Sequence, residues 1–367
     1  MTTTTPRATP TITDPSARTR PLRVLLIALA GVSLLTGLNA GLLRLGVWAP
    51  VDSTRLADLH GPVMVLGFMG TLISLERAQA LRNPLAYLAP ALLATGSLAL
   101  LAGAPPALGK LLLFDGGLAF LALTVALWRR APLGLVAAQV LGALFTALFT
   151  GLWLVAEIPS LLPLLAAFLV ITIAAERAEL AQLTMGKRAV PTLLGLGSLM
   201  ALGAMVSLGL PDMGSRVVGF ACLVIAAWLL RDDVGRRMIR TDGLRRYNAA
   251  ALLAGNGWLA VAGIVWLVVG QPTSSGAYDA VIHGTFLGFG MAMIMAHAPI
   301  IFPAVIGRAL PYRPSMWGPL ALLNVGMVLR LSGGLAGIHP LHRTGGVITV
   351  LAVLTFALTV IVSVVRS

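Results

Sequence analysis

Apolar residues run along this chain in long blocks separated by short, Arg-rich polar clusters. Each block is long enough to cross about 30 Å of hydrocarbon at 1.5 Å per residue. Twelve blocks stand at approximately 22–46, 59–78, 85–104, 108–128, 132–156, 159–180, 190–209, 214–230, 246–269, 280–305, 315–337 and 342–364. The pattern predicts an all-α integral membrane protein with twelve transmembrane helices. Residues 1–21 are rich in Thr, Pro and Arg and lack apolar periodicity, so they read as a disordered cytoplasmic tail. Residues 22–367 form a single membrane domain. The first apolar block has full spanning length, which argues against a cleavable signal.

Composition agrees with this reading: 58% of residues are hydrophobic, 11% are charged and the mean hydropathy is +0.93. The formal charge of +13 is spread over loops on one side. Basic residues cluster at Arg77 and Arg82, Arg129 and Arg130, Arg177 to Arg188, Arg231 to Arg246, and Arg308 and Arg313. The opposite side holds only Arg44, Arg55, Lys110, Arg216 and Arg343. Positive charge is retained in the cytoplasm, so both termini are expected there, in a bacterial inner membrane, with anionic lipid headgroups as partners. No basic domain suited to nucleic acid is visible. The lone Cys222 excludes an intramolecular disulfide.

Within the blocks the chain repeats itself. Glu76-Arg77-Ala78 at the end of the second span recurs as Glu176-Arg177-Ala178 at the end of the sixth. Leu59-His60-Gly61 at the start of the second span is matched by Ile282-His283-Gly284 at the start of the tenth. The twelve helices therefore read as three pseudo-repeated four-helix blocks, about 22–130, 131–240 and 241–367. Coordinating side chains inside a bilayer are functional candidates by default. His60 and His283 are expected at one depth near the outer leaflet, as two axial ligands of one flat cofactor require. A haem b lying edge-on between the second and tenth helices satisfies that register.

The run His60-Gly61-Pro62-Val63-Met64-Val65-Leu66-Gly67-Phe68 resembles the haem–copper oxidase superfamily, whose central subunit has twelve helices and ligates a low-spin haem by histidines on helices 2 and 10. The His-Gly pair with Met64 four residues on carries that likeness. Gly67-Phe68 also resembles the NnrS family of nitric-oxide-response membrane haem proteins. The resemblance implies haem ligation by His60 and His283, with nitric oxide or respiratory redox chemistry and a quinol or cytochrome as electron donor. The chain departs from the oxidase pattern where its copper would sit: the sixth and seventh spans hold no histidine, and Val281 and Thr285 flank His283. Pro62 stands where the NnrS pattern has a second histidine. The usual haem–copper active site, and oxygen reduction by it, are therefore not expected.

Other polar residues offer further sites. Arg330, in the outer half of the eleventh span, suits a haem propionate, assisted by Arg343. Asp115, about two turns into the fourth span, reads as a buried hydrogen-bonded carboxyl, with pairing to Arg330 or proton handling as alternatives. His339 and His342 lie in an outer loop, where they would bind a divalent metal or simply face solvent. His297 lies 14 residues beyond His283 and cannot share its ion; with Met291, Met293 and Met295 it would suit copper. Glu76, Glu176 and Glu179 sit at helix ends, where pairing with Arg77 and Arg177 is the simplest expectation. The favoured function is a haem-binding redox or gas-response protein. The alternatives are a transporter or channel, with copper as its cargo, and an enzyme with an unfamiliar metal centre.

Overall fold

The computed structural model describes residues 15–308 and 310–366 and contains, among them, helices and no strands. Twelve helices are long and apolar enough to cross a membrane. They are α1 (Thr19–Leu45), α2 (Thr54–Leu81), α3 (Pro84–Ala102), α4 (Pro106–Arg130), α5 (Gly134–Leu152), α6 (Ile158–Leu180), α7 (Ala189–Val206), α8 (Pro211–Asp232), α9 (Gly243–Val269), α10 (Ser275–Pro303), α11 (Pro314–Leu335) and α12 (His339–Val365). Helical structure already begins at Pro15. Residues 15–18 of the expected tail are thus the helical lead-in to α1 and residues 19–21 belong to α1 itself; its remaining residues, 1–14 with Arg7, lie outside the described residues.

Successive helices pack side by side, and α12 closes back on α1. The interior is held by α6 and α10, with 83% and 72% of their apolar windows buried. The sequence explains α6: from Leu161 to Ala175 it is apolar on every face, and such a helix belongs inside. α10 touches α1, α2, α6, α9 and α11, so it is the element through which the halves of the bundle meet.

Most helices begin earlier than their apolar blocks. α2 starts at Thr54 and α10 at Ser275, each with a polar turn before the hydrocarbon-matched run. His60 and His283 therefore do not open their helices, as the sequence suggests. They stand six and eight residues in, about 9 and 12 Å along the axis at 1.5 Å per residue.

A second feature shared by these two helices is a widened, π-helical stretch. It runs over Val63–Gly70 in α2 and His283–Met291 in α10. Pro62, without an N–H, removes one i→i−4 bond where the α2 stretch begins. π-Helical turns mark functional sites in many proteins, and here both lie beside the paired histidines.

Candidate functional site

The rings of His60 and His283 face each other across the α2–α10 seam, with centroids 6.2 Å apart and planes inclined by 28°. Each ring is held by its Nδ1. His60 Nδ1 lies 2.7 Å from the carbonyl oxygen of Gly37 on α1. His283 Nδ1 lies 3.1 Å from the Asp279 carbonyl and 3.0 Å from its Oδ1. Carbonyls and carboxylates only accept, so both Nδ1 atoms carry hydrogen and both Nε2 atoms keep a lone pair. Neither Nε2 has a hydrogen-bond partner among the described residues. The product is two neutral imidazoles, oriented from behind by fixed acceptors, as metal-ligating histidines are.

Two metal–nitrogen bonds of about 2 Å, each extended by roughly 1 Å from nitrogen to ring centre, span about 6 Å when the nitrogens lie opposite one another, a length that matches this ring separation. Among the described residues no cluster of three or more His, Cys, Asp or Glu is placed to hold a metal.

Around the pair lies a cleft lined by Leu38, Gly41, Met64, Phe286, Arg330 and Thr349 among others. It encloses about 70 Å³. That is well below the roughly 300–1,000 Å³ of a preformed ligand site, so a large group would enter only if the helices around the cleft moved apart. Two glycines on α1 set its width. A Cβ on Gly41 would stand 3.1 Å from His60 Cε1, and one on Gly37 would collide with the Met64 sulfur.

Asp279, which the sequence reading passes over, organises the polar wall of this cleft. Its carboxylate accepts a two-pronged bond from Arg330, with Nη2 2.7 Å from Oδ1 and Nε 3.0 Å from Oδ2. The partner of Arg330 is therefore Asp279, one turn before His283, and not Asp115. Asp115 itself is exposed on the outer surface of α4, which corrects the expectation of a buried carboxyl. The i, i+4 spacing of Asp279 and His283 was the available signal. Arg330 keeps Nη1 free of hydrogen bonds among the described residues while lining the cleft.

The remaining expected residues separate into two groups. Met64 lines the cleft, and Arg343 stands exposed in the first turn of α12, beside the chain reversal at Gly46. His339 and His342 begin α12 and are not in a loop. His339 is exposed, whereas His342 Nδ1 lies 3.2 Å from the Arg330 carbonyl and 3.8 Å from Asp279 Oδ2. They do not converge on one ion. His297 is committed elsewhere: Arg177 Nη1 donates to its Nε2 at 2.8 Å, and it is bonded to the Met293 carbonyl. Neither nitrogen is left to bind copper.

At the opposite end of the bundle, where the described chain begins and ends, a denser network closes the interior. Arg177 grips Asp233 with bonds of 2.7 and 2.8 Å, the two side chains being 5% and 2% exposed. Arg77 meets Glu76 at 3.0 Å and Glu179 at 3.3 Å, and Gln139 donates to Glu179 at 2.9 Å. A second cavity, about 90 Å³, lies inside this network and is lined by Glu76, Glu176, His297 and apolar residues of α1, α2, α6 and α10. Met69 lines both cavities.

The family model described as "Domain of unknown function (DUF8744)" matches residues 23–365. No curated protein and no solved structure matches the chain.

Proposed function

For this chain, which belongs to the DUF8744 family, we propose a haem-binding role in the membrane, with His60 and His283 as the two axial ligands. The observation that carries it is the 6.2 Å separation of two imidazoles whose Nδ1 atoms are both held by acceptors. In this reading the group is haem b; the covalent c type is excluded because it uses a C-x-x-C-H motif, and this chain has a single cysteine, Cys222. Arg330, which lines the cleft with Nη1 free among the described residues, would hold a propionate, with Arg343 as a further cation for it.

The residues divide the work clearly. Gly37 and Asp279 fix the tautomer and aim of the ligands, the Asp279 carboxylate raises the basicity of His283, and Leu38, Phe286 and Val350 exclude water from the cleft. When bound, haem supplies a one-electron couple at iron. Ligation by two imidazoles would favour electron transfer or sensing over substrate chemistry, and the likeness to haem–copper oxidases and the NnrS family supports respiratory or nitric oxide pathways. A quinol or cytochrome then serves as electron donor. The Arg distribution supports a cytoplasmic side for both termini, in a bacterial inner membrane on this reading.

A transporter is the second reading, favoured by one observation: the histidine cleft and the inner cavity are parted by Met69. Cargo moving from one to the other would have to displace that side chain.

Optical spectra of detergent-purified protein, oxidised and dithionite-reduced, test the first reading. Sharp reduced b-type bands that vanish in His60→Ala and in His283→Ala are expected. A colourless native preparation from haem-sufficient cells would overturn it and bring transport forward.

A further inference from the structure

Asp115 lies nine residues into α4, about 14 Å along the helix and close to half of the roughly 30 Å hydrocarbon thickness. It is exposed, between Leu111 and Leu118 on the same face, which are 47% and 44% exposed. It makes no hydrogen bond or ion pair among the described residues. A carboxyl facing lipid tails near mid-bilayer is costly unless something covers it.

The neighbouring helix places a hydroxyl at the same level. Gly96 on α3 opposes Leu113, and Gly116 opposes Leu93, so Thr95 and Asp115 lie at one height on adjacent helices. Thr95 is likewise exposed, and its hydroxyl turns back to the Ala91 carbonyl of its own helix at 2.8 Å. Ala122, two turns below Asp115, keeps this face low enough for a second helix to approach. One patch thus carries a donor and an acceptor side by side between leucines.

We propose that the α3–α4 face is the interface with a second copy of this chain. A two-fold axis along the membrane normal juxtaposes the same patch on both subunits, so that every contact occurs twice. The Thr95 hydroxyl of each copy then turns from the Ala91 carbonyl of its own helix to donate its one hydrogen to the Asp115 carboxyl of the other. A patch with an acceptor alone would call for a foreign donor, whereas this one supplies its own. Interhelical hydrogen bonds of this kind, with small residues at the seam, drive association where apolar surface alone gives no net drive. The proposal is independent of the haem reading.

Cross-linking in liposomes tests it with the full chain. In a Cys222→Ala background, Leu111→Cys should give a covalent dimer with a short bis-maleimide, while Leu202→Cys, exposed on the distant α7 face, should not. Dilution FRET between labelled copies should show dissociation at least tenfold easier in Asp115→Leu and a smaller shift in Thr95→Val. Asp115→Leu puts an apolar side chain against lipid and preserves the fold, which a symmetric gel-filtration peak checks. Dimer formation unchanged by Asp115→Leu would overturn the proposal. So would a Leu111→Cys adduct that forms with another membrane protein in native membranes but never between copies in liposomes.

Discussion

The two ends of the bundle use the same residue types to opposite effect. At the end holding His60 and His283, two imidazoles are each anchored by one nitrogen and leave the other free, in a cleft that retains open space. At the terminal end, His297 has both nitrogens engaged, and Arg177 and Asp233 satisfy one another behind it. Arg330–Asp279 and Arg177–Asp233 look alike as ion pairs, but the first stands directly behind His283, whose Nε2 is free, and the second braces α6 against the end of α8. A buried histidine in a membrane protein is therefore judged by the lone pairs it has left.

That contrast can be broken in graded steps. The largest effect is expected from His60→Ala and His283→Ala, each abolishing haem retention through purification, whereas His297→Ala leaves the haem content unchanged; a pyridine haemochrome assay reads both. Next comes Arg177→Ala. Removing one partner of a buried ion pair strands the other charge at a cost of about 3–5 kcal/mol, seen as a lower thermal unfolding temperature in detergent. Arg177→Met with Asp233→Leu recovers most of that loss, because apolar replacement of both partners leaves no unpaired charge.

A smaller effect belongs to Asp279→Asn. The amide retains a hydrogen-bond acceptor but not the charge, and loss of such a supporting carboxylate weakens metal binding by about 10- to 100-fold. Competition for haem with an apo-globin measures it, and unchanged retention would detach Asp279 from the site. Gly41→Ala comes last: its methyl would press on His60 Cε1 at 3.1 Å, tilting the ring and shifting the reduced spectrum while retaining haem. His339→Ala, on an exposed side chain, changes none of these.

Much of the fold was legible because each span is a long apolar run and the hydrocarbon thickness sets its length. The shared register of His60 and His283 was legible for the same reason, since the second and tenth spans run in the same direction and similar offsets from their starts give similar depth. The lead-in turns were not. Thr54 to Asp58 and Ser275 to Asp279 are polar enough to read as loop, yet they are helical. Asp279 falls in such a lead-in, just before the apolar run of α10, and so its role behind His283 escaped a reading based on hydropathy. The π-helical stretches left no mark in composition. The facing of Asp115 was hidden too, because α4 is apolar nearly all round and its sequence does not say which side meets lipid.

The central claim is that one ion lies between His60 and His283, and low-temperature EPR of the oxidised, haem-containing protein tests it most directly. A low-spin ferric signal of the bis-imidazole type is expected, replaced by a high-spin signal or lost in His60→Ala and His283→Ala and unchanged in His297→Ala. A high-spin signal in the native protein, or a low-spin one that survives both substitutions, would contradict the account.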